Sequence, residues 1–287
     1  MKNHSGNIND ISIFGQEDNP TTRKLALMNL AIRSIEANLG DYNADTLGND
    51  LHKTLKADFI LANPPFNSSD WGGERLKDDV RWAYGTPPTS NANYAWIQHM
   101  LHHTSPNGRI GFVMANGTLS TKQGGEDKIR ENIIKSDLVE GIIAMPTQLF
   151  YGVAIPCCVW FLSKSKKQKG KTLFIDARKL GTMVTRSHKE LTKDDINKIT
   201  KTYRDFEAGT LTDIQGFCNV ATIEDIEKQD YILTPGRYVG IEEQETDSEP
   251  FEEKMARLTT TLSDLFKEGH SLEQEIKTRL GAIGYEV

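Results

Sequence analysis

At 287 residues, 26% of them charged and 37% hydrophobic, the chain has enough length for a full core and an appended segment, in proportions ordinary for a globular protein. Its formal net charge of −6 argues against this chain alone gripping a phosphate backbone, so contact with nucleic acid calls for a partner. Cys157, Cys158 and Cys218 match no metal-ligand spacing and fit a reducing compartment. No stretch approaches a membrane span and Met1-Lys2-Asn3-His4 opens no signal peptide, so a cytoplasmic protein without a membrane partner is expected.

In chain order, Ile11-Ser12-Ile13-Phe14-Gly15 alternates as a short strand does, and Gln16-Glu17-Asp18 follows it. Asn19 is a good N-cap and Pro20 a good first helical residue. Leu25, Met28, Ile32, Ile35 and Leu39 then recur at helical spacing until Gly40. A carboxylate at a strand end can accept both hydroxyls of a ribose, so Glu17, with Asp18 second, is a candidate for that role as well as for a plain surface cap.

Phe59-Ile60-Leu61-Ala62 reads as a buried parallel strand. It stops at Asn63-Pro64-Pro65-Phe66, where two prolines without amide hydrogens forbid ladder and helix alike and stiffen the turn. Asn63 is thereby held at the carboxyl end of a strand, where open α/β sheets bind ligands. Its side-chain carbonyl and the Pro64 backbone carbonyl can both accept from one exocyclic amine, and Phe66 offers a flat face to a planar base. An inert proline-rich turn is the alternative. The stretch resembles the Asn-Pro-Pro-Phe motif of amino-methyltransferases acting on adenine N6, which makes Asn63, Pro64, Pro65 and Phe66 candidate catalytic residues. Methyltransferases commonly place an acid ahead of this strand to accept from the adenine amine of S-adenosylmethionine. Asp45, in Asn43-Ala44-Asp45-Thr46-Leu47, stands there.

Asn67 to Ser90 is a long polar loop carrying Trp71, Trp82 and Tyr84, which can either stack on an extruded base or form a satellite cluster that holds the loop down. Asn91 to His103 is expected to be helical. No carboxylate or cysteine stands at ligand spacing from His99, His102 and His103, so a solvated helix end, not a metal site, is expected. Pro106-Asn107-Gly108 turns into the strand Arg109 to Met114, ended by Asn116-Gly117. Ile129 to Ile134 is helical, and the strands Leu138 to Ala144 and Ala154 to Leu162 are placed to pair antiparallel. The lysines between 164 and 171 suit a solvated hairpin tip before the strand Thr172 to Ile175, with a DNA contact the alternative. Farther on, Leu191 to Phe206 is helical, Thr222 caps a short helix, and Tyr231 to Val239 is extended. Phe251, Met255, Leu258, Leu262, Leu265, Leu272 and Ile276 then form a heptad-like seam on two helices broken at Gly269, suited to a partner helix or to an intramolecular hairpin.

The segments Gly15-Gln16-Glu17, Asn19-Pro20-Thr21-Thr22, Ala62-Asn63-Pro64-Pro65-Phe66-Asn67, Asn93-Tyr94-Ala95-Trp96, Gln148-Leu149-Phe150 and Leu233-Thr234-Pro235-Gly236-Arg237-Tyr238 resemble the modification subunit of type I restriction-modification systems over nearly the whole chain. The resemblance implies an N6-adenine DNA methyltransferase that uses S-adenosylmethionine, with Glu17, Asp45 and Asn63 as cofactor contacts. It implies as partners a DNA specificity subunit, a restriction subunit, and double-stranded DNA with its target adenine flipped out. The implied fold is α/β, a Rossmann-like methyltransferase sheet with a helical C-terminal extension: residues 1–180 a partial catalytic domain, 181–245 a peripheral α/β extension, and 246–287 a helical segment for subunit contact. The glycine-rich cofactor loop that precedes Gly-Gln-Glu in that family has no counterpart here, so the sheet is expected to be incomplete at its N-terminal strand and the chain to match the C-terminal part of such a subunit. The isolated chain is then expected to be inactive. Either a separate N-terminal methyltransferase fragment completes it, or it is a silent remnant that binds other subunits. A protein-glutamine methyltransferase shares a similar turn, but usually with tyrosine at the position of Phe66.

Overall fold

The computed structural model describes residues 10–150, 155–241 and 251–285, which fall into two units, Met1–Glu242 and Glu243–Val287. Strand β1 (Ile13–Phe14) leads through helix α1 (Pro20–Ile32) to β2 (Ala37–Asn38), and the two short strands pair in parallel. Asn19 caps α1 as expected, its Oδ1 accepting from the amides of Thr21 and Thr22 at 2.9 and 3.1 Å. The helix stops at Ile32 and does not run on to Leu39. Ser34 takes a left-handed φ of 55°, and the chain turns into β2, so Ile35 and Leu39 lie outside the helix.

Strand β3 (Ala57–Ala62) comes next, and then helix α2 (Asn93–His103), β4 (Thr104–Ala115), helix α3 (Glu126–Lys135), β5 (Val139–Ala144), β6 (Cys157–Ser163) and β7 (Lys171–Asp176). The small β8 (Thr182–Met183) and β9 (Lys189–Glu190), helix α4 (Lys193–Ala208), β10 (Cys218–Thr222) and α5 (Ile223–Glu227) complete the first unit. Six strands form one mixed sheet in the order β10-β7-β5-β6-β4-β3. As the sequence indicated, β5 and β6 pair antiparallel, with β6 inserted between β5 and β4.

Four local expectations give way to the packing. β6 and β7 flank β5 on opposite sides, so the lysine-rich connection crosses an end of β5 and is no hairpin tip. Lys166 is buried there and donates to Asp137 at 2.5 Å, the same carboxylate that accepts from Gly170. Pro106-Asn107-Gly108 sits within β4 as an irregularity: Ala57 pairs with Thr104 and Phe59 with Arg109, so the residues between bulge outward. The segment from Tyr231 is not extended but turns through Pro235–Arg237. The Leu233 amide donates to the Leu119 carbonyl at 2.9 Å, and the Tyr238 ring stacks on Phe174 at 3.8 Å.

The fourth correction concerns β3. It is parallel to β4, but it is an edge strand and is not buried. Ile60 and Ala62 pack on the core formed by Tyr94, Ile97, Phe112, Trp160 and Phe174, whereas Phe59 and Leu61 are 77% and 88% exposed. Side chains alternate across a strand, so one face of β3 is covered and the other bare. Its outer edge pairs with no strand among the described residues.

In the second unit α6 (Phe251–Ala282) is one continuous helix through Gly269, not two. A helix interior tolerates an isolated glycine at a cost of about 1 kcal/mol. The predicted seam, Phe251 through Ile276, therefore lies along a single rod, and no residue of α6 is buried. No helix among the described residues is long and apolar enough to cross a membrane.

Candidate active site

The corner begins where β3 ends. Asn63 is exposed at its start, Pro64 is buried, and Phe66 leans on the main core. Beyond Phe66, Asn67 takes a left-handed φ of 55°, which asparagine tolerates, and exchanges two hydrogen bonds with Asn93. The Asn67 amide donates to Asn93 Oδ1, and Asn93 Nδ2 donates to Asn67 Oδ1, both at 2.9 Å. Asn93 opens α2 and is buried, so the far side of the corner is pinned to a core helix. The Asn63 carboxamide and the Pro64 carbonyl have no protein partner among the described residues. Two acceptors are thus held on a rigid turn and left unused.

The second loop of interest carries the acids. Ala44 donates to the Glu17 carbonyl at 3.1 Å, and Asn43 Nδ2 to the Asp18 carbonyl at 2.8 Å, so the structure brings the Glu17 and Asp45 segments side by side. Gln16 fixes them. Its Nε2 donates to the Ala44 and Asn49 carbonyls at 3.0 and 2.8 Å, and its Oε1 accepts from the Leu51 amide at 2.9 Å. Glu17 Oε1 accepts from the Asn19 amide, leaving Oε2 without a protein partner among the described residues. The Asp45 carboxylate accepts from the amides of Leu47 and Gly48, which fixes its orientation while spare lone pairs remain. Sequence reasoning chose Glu17 and Asp45 but missed Gln16, whose only signal is a polar residue capable of both donating and accepting between a strand and an acid.

One open alternative is decided and one expectation is corrected by side chains arriving from afar. Trp71 and Trp82 are buried edge to face at 5.9 Å, with Leu47, Ala92 and Ala95, so they hold the long loop down and are not open for stacking. Tyr84, half-buried, packs on the main core. The end of α2 is not solvated: His103 is buried, and Asp50, 53 residues away in sequence, meets its Nε2 at 2.9 Å. Spacing within the helix could not reveal that carboxylate. The three cysteines are buried and free, and burial pushes the Cys158 thiol up to about 12.

Comparison with known proteins bears on this arrangement. Residues 1–247 match the model of a family described as N-6 DNA methylase. The chain belongs to the N-6 DNA methylase family. It is 52% identical over 284 residues to the type I restriction enzyme HindI methylase subunit of Haemophilus influenzae, covering 99% of this chain and 64% of that protein. It is 44% identical to the MjaIX methylase subunit of Methanocaldococcus jannaschii, covering 97% of this chain and 51% of the relative. Among solved structures, the type I restriction-modification methyltransferase subunit of Streptococcus thermophilus superposes with a TM-score of 0.71 at 30% identity, over 79% of this chain and 48% of that one. The chain thus spans between about half and somewhat under two thirds of the length of these relatives, and its mixed sheet superposes on that of a type I restriction-modification methyltransferase subunit.

Proposed function

We propose that the chain supplies the methyl-acceptor half of an N6-adenine DNA methyltransferase, as part of a type I modification subunit. The observation that carries this reading is the pair of unpartnered acceptors, Asn63 Oδ1 and the Pro64 carbonyl, on a stiff corner at the carboxyl end of β3. An adenine amine has two hydrogens to donate. Both acceptors engage them at once, which orients the nitrogen and concentrates its electron density toward the incoming methyl carbon. Phe66 supports the ring of a base that has left the duplex, at an unstacking cost of a few kcal/mol.

The residues on the cofactor side fit S-adenosylmethionine in part. Glu17 keeps a free carboxylate oxygen for ribose hydroxyls, Asp45 keeps lone pairs for an adenine amine, and Asn63 lies between the two functions. When bound, S-adenosylmethionine supplies a methyl group on a sulfonium leaving group. The chain's own contribution is to hold the acceptor amine, exclude alternative orientations of the base and position the two acids.

Completion by a further polypeptide belongs to the same proposal. The bare Phe59 and Leu61 on an open parallel edge, and the exposed Leu25, Met28 and Ile32 of α1, suit a segment that adds a strand beside β3. The seam of α6 suits a helix of a DNA specificity subunit, which would bring the basic surface that a net charge of −6 lacks. A restriction subunit would join the same assembly for cleavage.

The test is methyl transfer from labelled S-adenosylmethionine to DNA by the reconstituted complex. Asn63→Ala is expected to lower kcat by roughly 10²–10³-fold, as removal of one preorganised hydrogen-bonding group at a reacting centre does. Undiminished transfer by that variant would reduce the corner to scaffolding, and a wild-type complex with no transfer would favour a silent subunit-binding remnant.

A further inference from the structure

The acid loop and the acceptor corner belong to different parts of the first unit, and a polar cluster joins them beside the apolar contact of Leu47 with Trp71, Trp82 and Ala95. Arg81, 6% exposed and carried by the long loop after the corner, reaches back over the Asp45 turn. Its Nη2 donates to the Leu47 carbonyl at 2.6 Å and its Nη1 to the Thr46 carbonyl at 3.4 Å. The same guanidinium grips the Asp79 carboxylate with two bonds of 2.8 Å and donates to His99 Nδ1 of α2 at 3.1 Å. Farther along the acid loop, Asp50 Oδ1 accepts from the His52 amide at 2.8 Å, and Asp50 Oδ2 meets His103 Nε2 of α2 at 2.9 Å. His103 Nδ1 faces the Leu55 carbonyl at 3.0 Å. Both nitrogens of His103 therefore face oxygens, one on the acid loop and one just beyond it.

Asp50, His99 and His103 also stand close enough together to suggest a metal site, since one ligand atom of each lies within 4.8 Å of the others. Two details point instead to a clamp. The Asp50–His103 contact has the length of a direct hydrogen bond, and a guanidinium already donates to His99 Nδ1. A fixed positive charge at that distance opposes a second cation.

We propose that Arg81 and the Asp50–His103 pair are positioning residues: they lock the turn that carries Asp45 onto helix α2, the same helix whose Asn93 anchors the Asn63 corner, and so set the spacing between cofactor and acceptor amine. The proposal rests on the reading of Asp45 as a cofactor contact. Arg81 forms bonds to Thr46 and Leu47, the two residues directly after Asp45, so a shift of the guanidinium is passed to the carboxylate through one short turn. α2 is the common reference. Its first residue holds the corner and its last holds the acid loop, so one rigid helix fixes both ends of the site.

The experiment compares Arg81→Lys and Asp50→Asn with the wild type in two measurements. Arg81→Lys keeps the charge beside Asp79 but cannot span Leu47, Asp79 and His99 together. Asp50→Asn keeps the shape and removes the carboxylate. Hydrogen exchange on the chain itself is expected to speed up roughly tenfold or more at Leu47, Gly48 and Leu51 in both variants, with the amides of β4 unchanged. In the methyltransferase reconstituted with its completing polypeptide and specificity subunit, the dissociation constant for S-adenosylhomocysteine is expected to rise roughly tenfold, with the KM for DNA held within about twofold. A loop that loosens while affinity stays at the wild-type value would overturn the positioning role, and so would a loop that does not loosen. A wild-type complex that binds no cofactor would instead bring down the functional reading, and this proposal with it.

Discussion

Residues 57–119 hang the Asn63 corner on a continuous apolar core, whereas residues 10–55 hold Glu17 and Asp45 mainly through side-chain bonds to backbone, with Leu47 as a buried apolar anchor, over a helix that buries none of its residues. Asn63 precedes a buried proline and a phenylalanine set into the main core, and Ala62 pairs with the fully buried Phe112. On the other side, Gln16, Arg23, Arg81 and His103 supply the order, each reaching a carbonyl or carboxylate many residues away. Apolar packing is cooperative and insensitive to one polar change. A loop held by a few polar anchors responds to each anchor separately. The acceptor corner is accordingly the more firmly packed of the two, and the acid loop the more sensitive to single polar changes.

The contrast is broken most forcefully by paired truncations. Phe112→Ala removes a buried ring directly beside β3 and is expected to cost about 3–5 kcal/mol in urea unfolding. Met28→Ala, on a side chain 59% exposed in α1, is expected to stay within about 0.5 kcal/mol. Equal costs would mean that α1 is as firmly packed as the sheet. In the reconstituted complex the ranking should narrow, because a segment added beside β3 and α1 would cover Met28.

What could be read from the sequence follows the same division. Asn-Pro-Pro-Phe after an apolar run announces a strand end with a stiff polar corner, because prolines act locally. Asn19-Pro20 likewise announces a helix start, and the cap forms as expected. The antiparallel pairing of β5 with β6 was legible from two apolar runs joined by a short loop, but the insertion of β6 between β5 and β4 was not. Contacts that join distant segments were not. Periodicity extended α1 to Leu39 because Leu39 is apolar, but that residue is buried outside the helix after β2. Three histidines at a helix end look solvated until Asp50 and Arg81 come to meet them. Trp71 and Trp82 carry the same aromatic signal whether they stack on a base or on each other, and only folding decides. The edge position of β3 was hidden for a related reason: an apolar run reports that a strand wants cover without saying which chain provides it.

A second, smaller effect tests how the acid loop is held. Gln16→Ala withdraws one acceptor and two donor contacts from the backbone at Leu51, Ala44 and Asn49. The expected cost is about 1–3 kcal/mol, confined to the loop. Hydrogen exchange at Leu51 should quicken while the buried amides of β4 and β5 keep their wild-type rates. A uniform rise across the sheet would show that the loop and the core unfold as one body, against the division drawn above.

The smallest effect concerns protons. His99 is pushed down to about 3 from its ordinary 6.5, first by burial and then by the positive charge of His103 and Arg81 beside it. Its neutral form is the one that accepts from Arg81, so its contribution to stability is complete above pH 6.5. That contribution falls away as the pH drops from 6.5 toward 3, because the unfolded chain takes up a proton that the folded site refuses. Asp50 and Asp79 act lower. Burial raises Asp50, but the His52 amide and the neighbouring histidines outweigh it and hold it below 3.8. Asp79 is held below that value by its bonds to Arg81, so both lose their contribution only as the pH falls past the carboxylate range. His99→Gln keeps an acceptor for Arg81 and removes the titration. It is expected to flatten the decline of the thermal midpoint between pH 6.5 and 4.5 by about 2–4 °C, leaving the steeper loss below pH 4 in place. An unaltered slope in the upper window would mean that Arg81 and α2 are not coupled through His99, and the clamp would then rest on Asp50 and His103 alone.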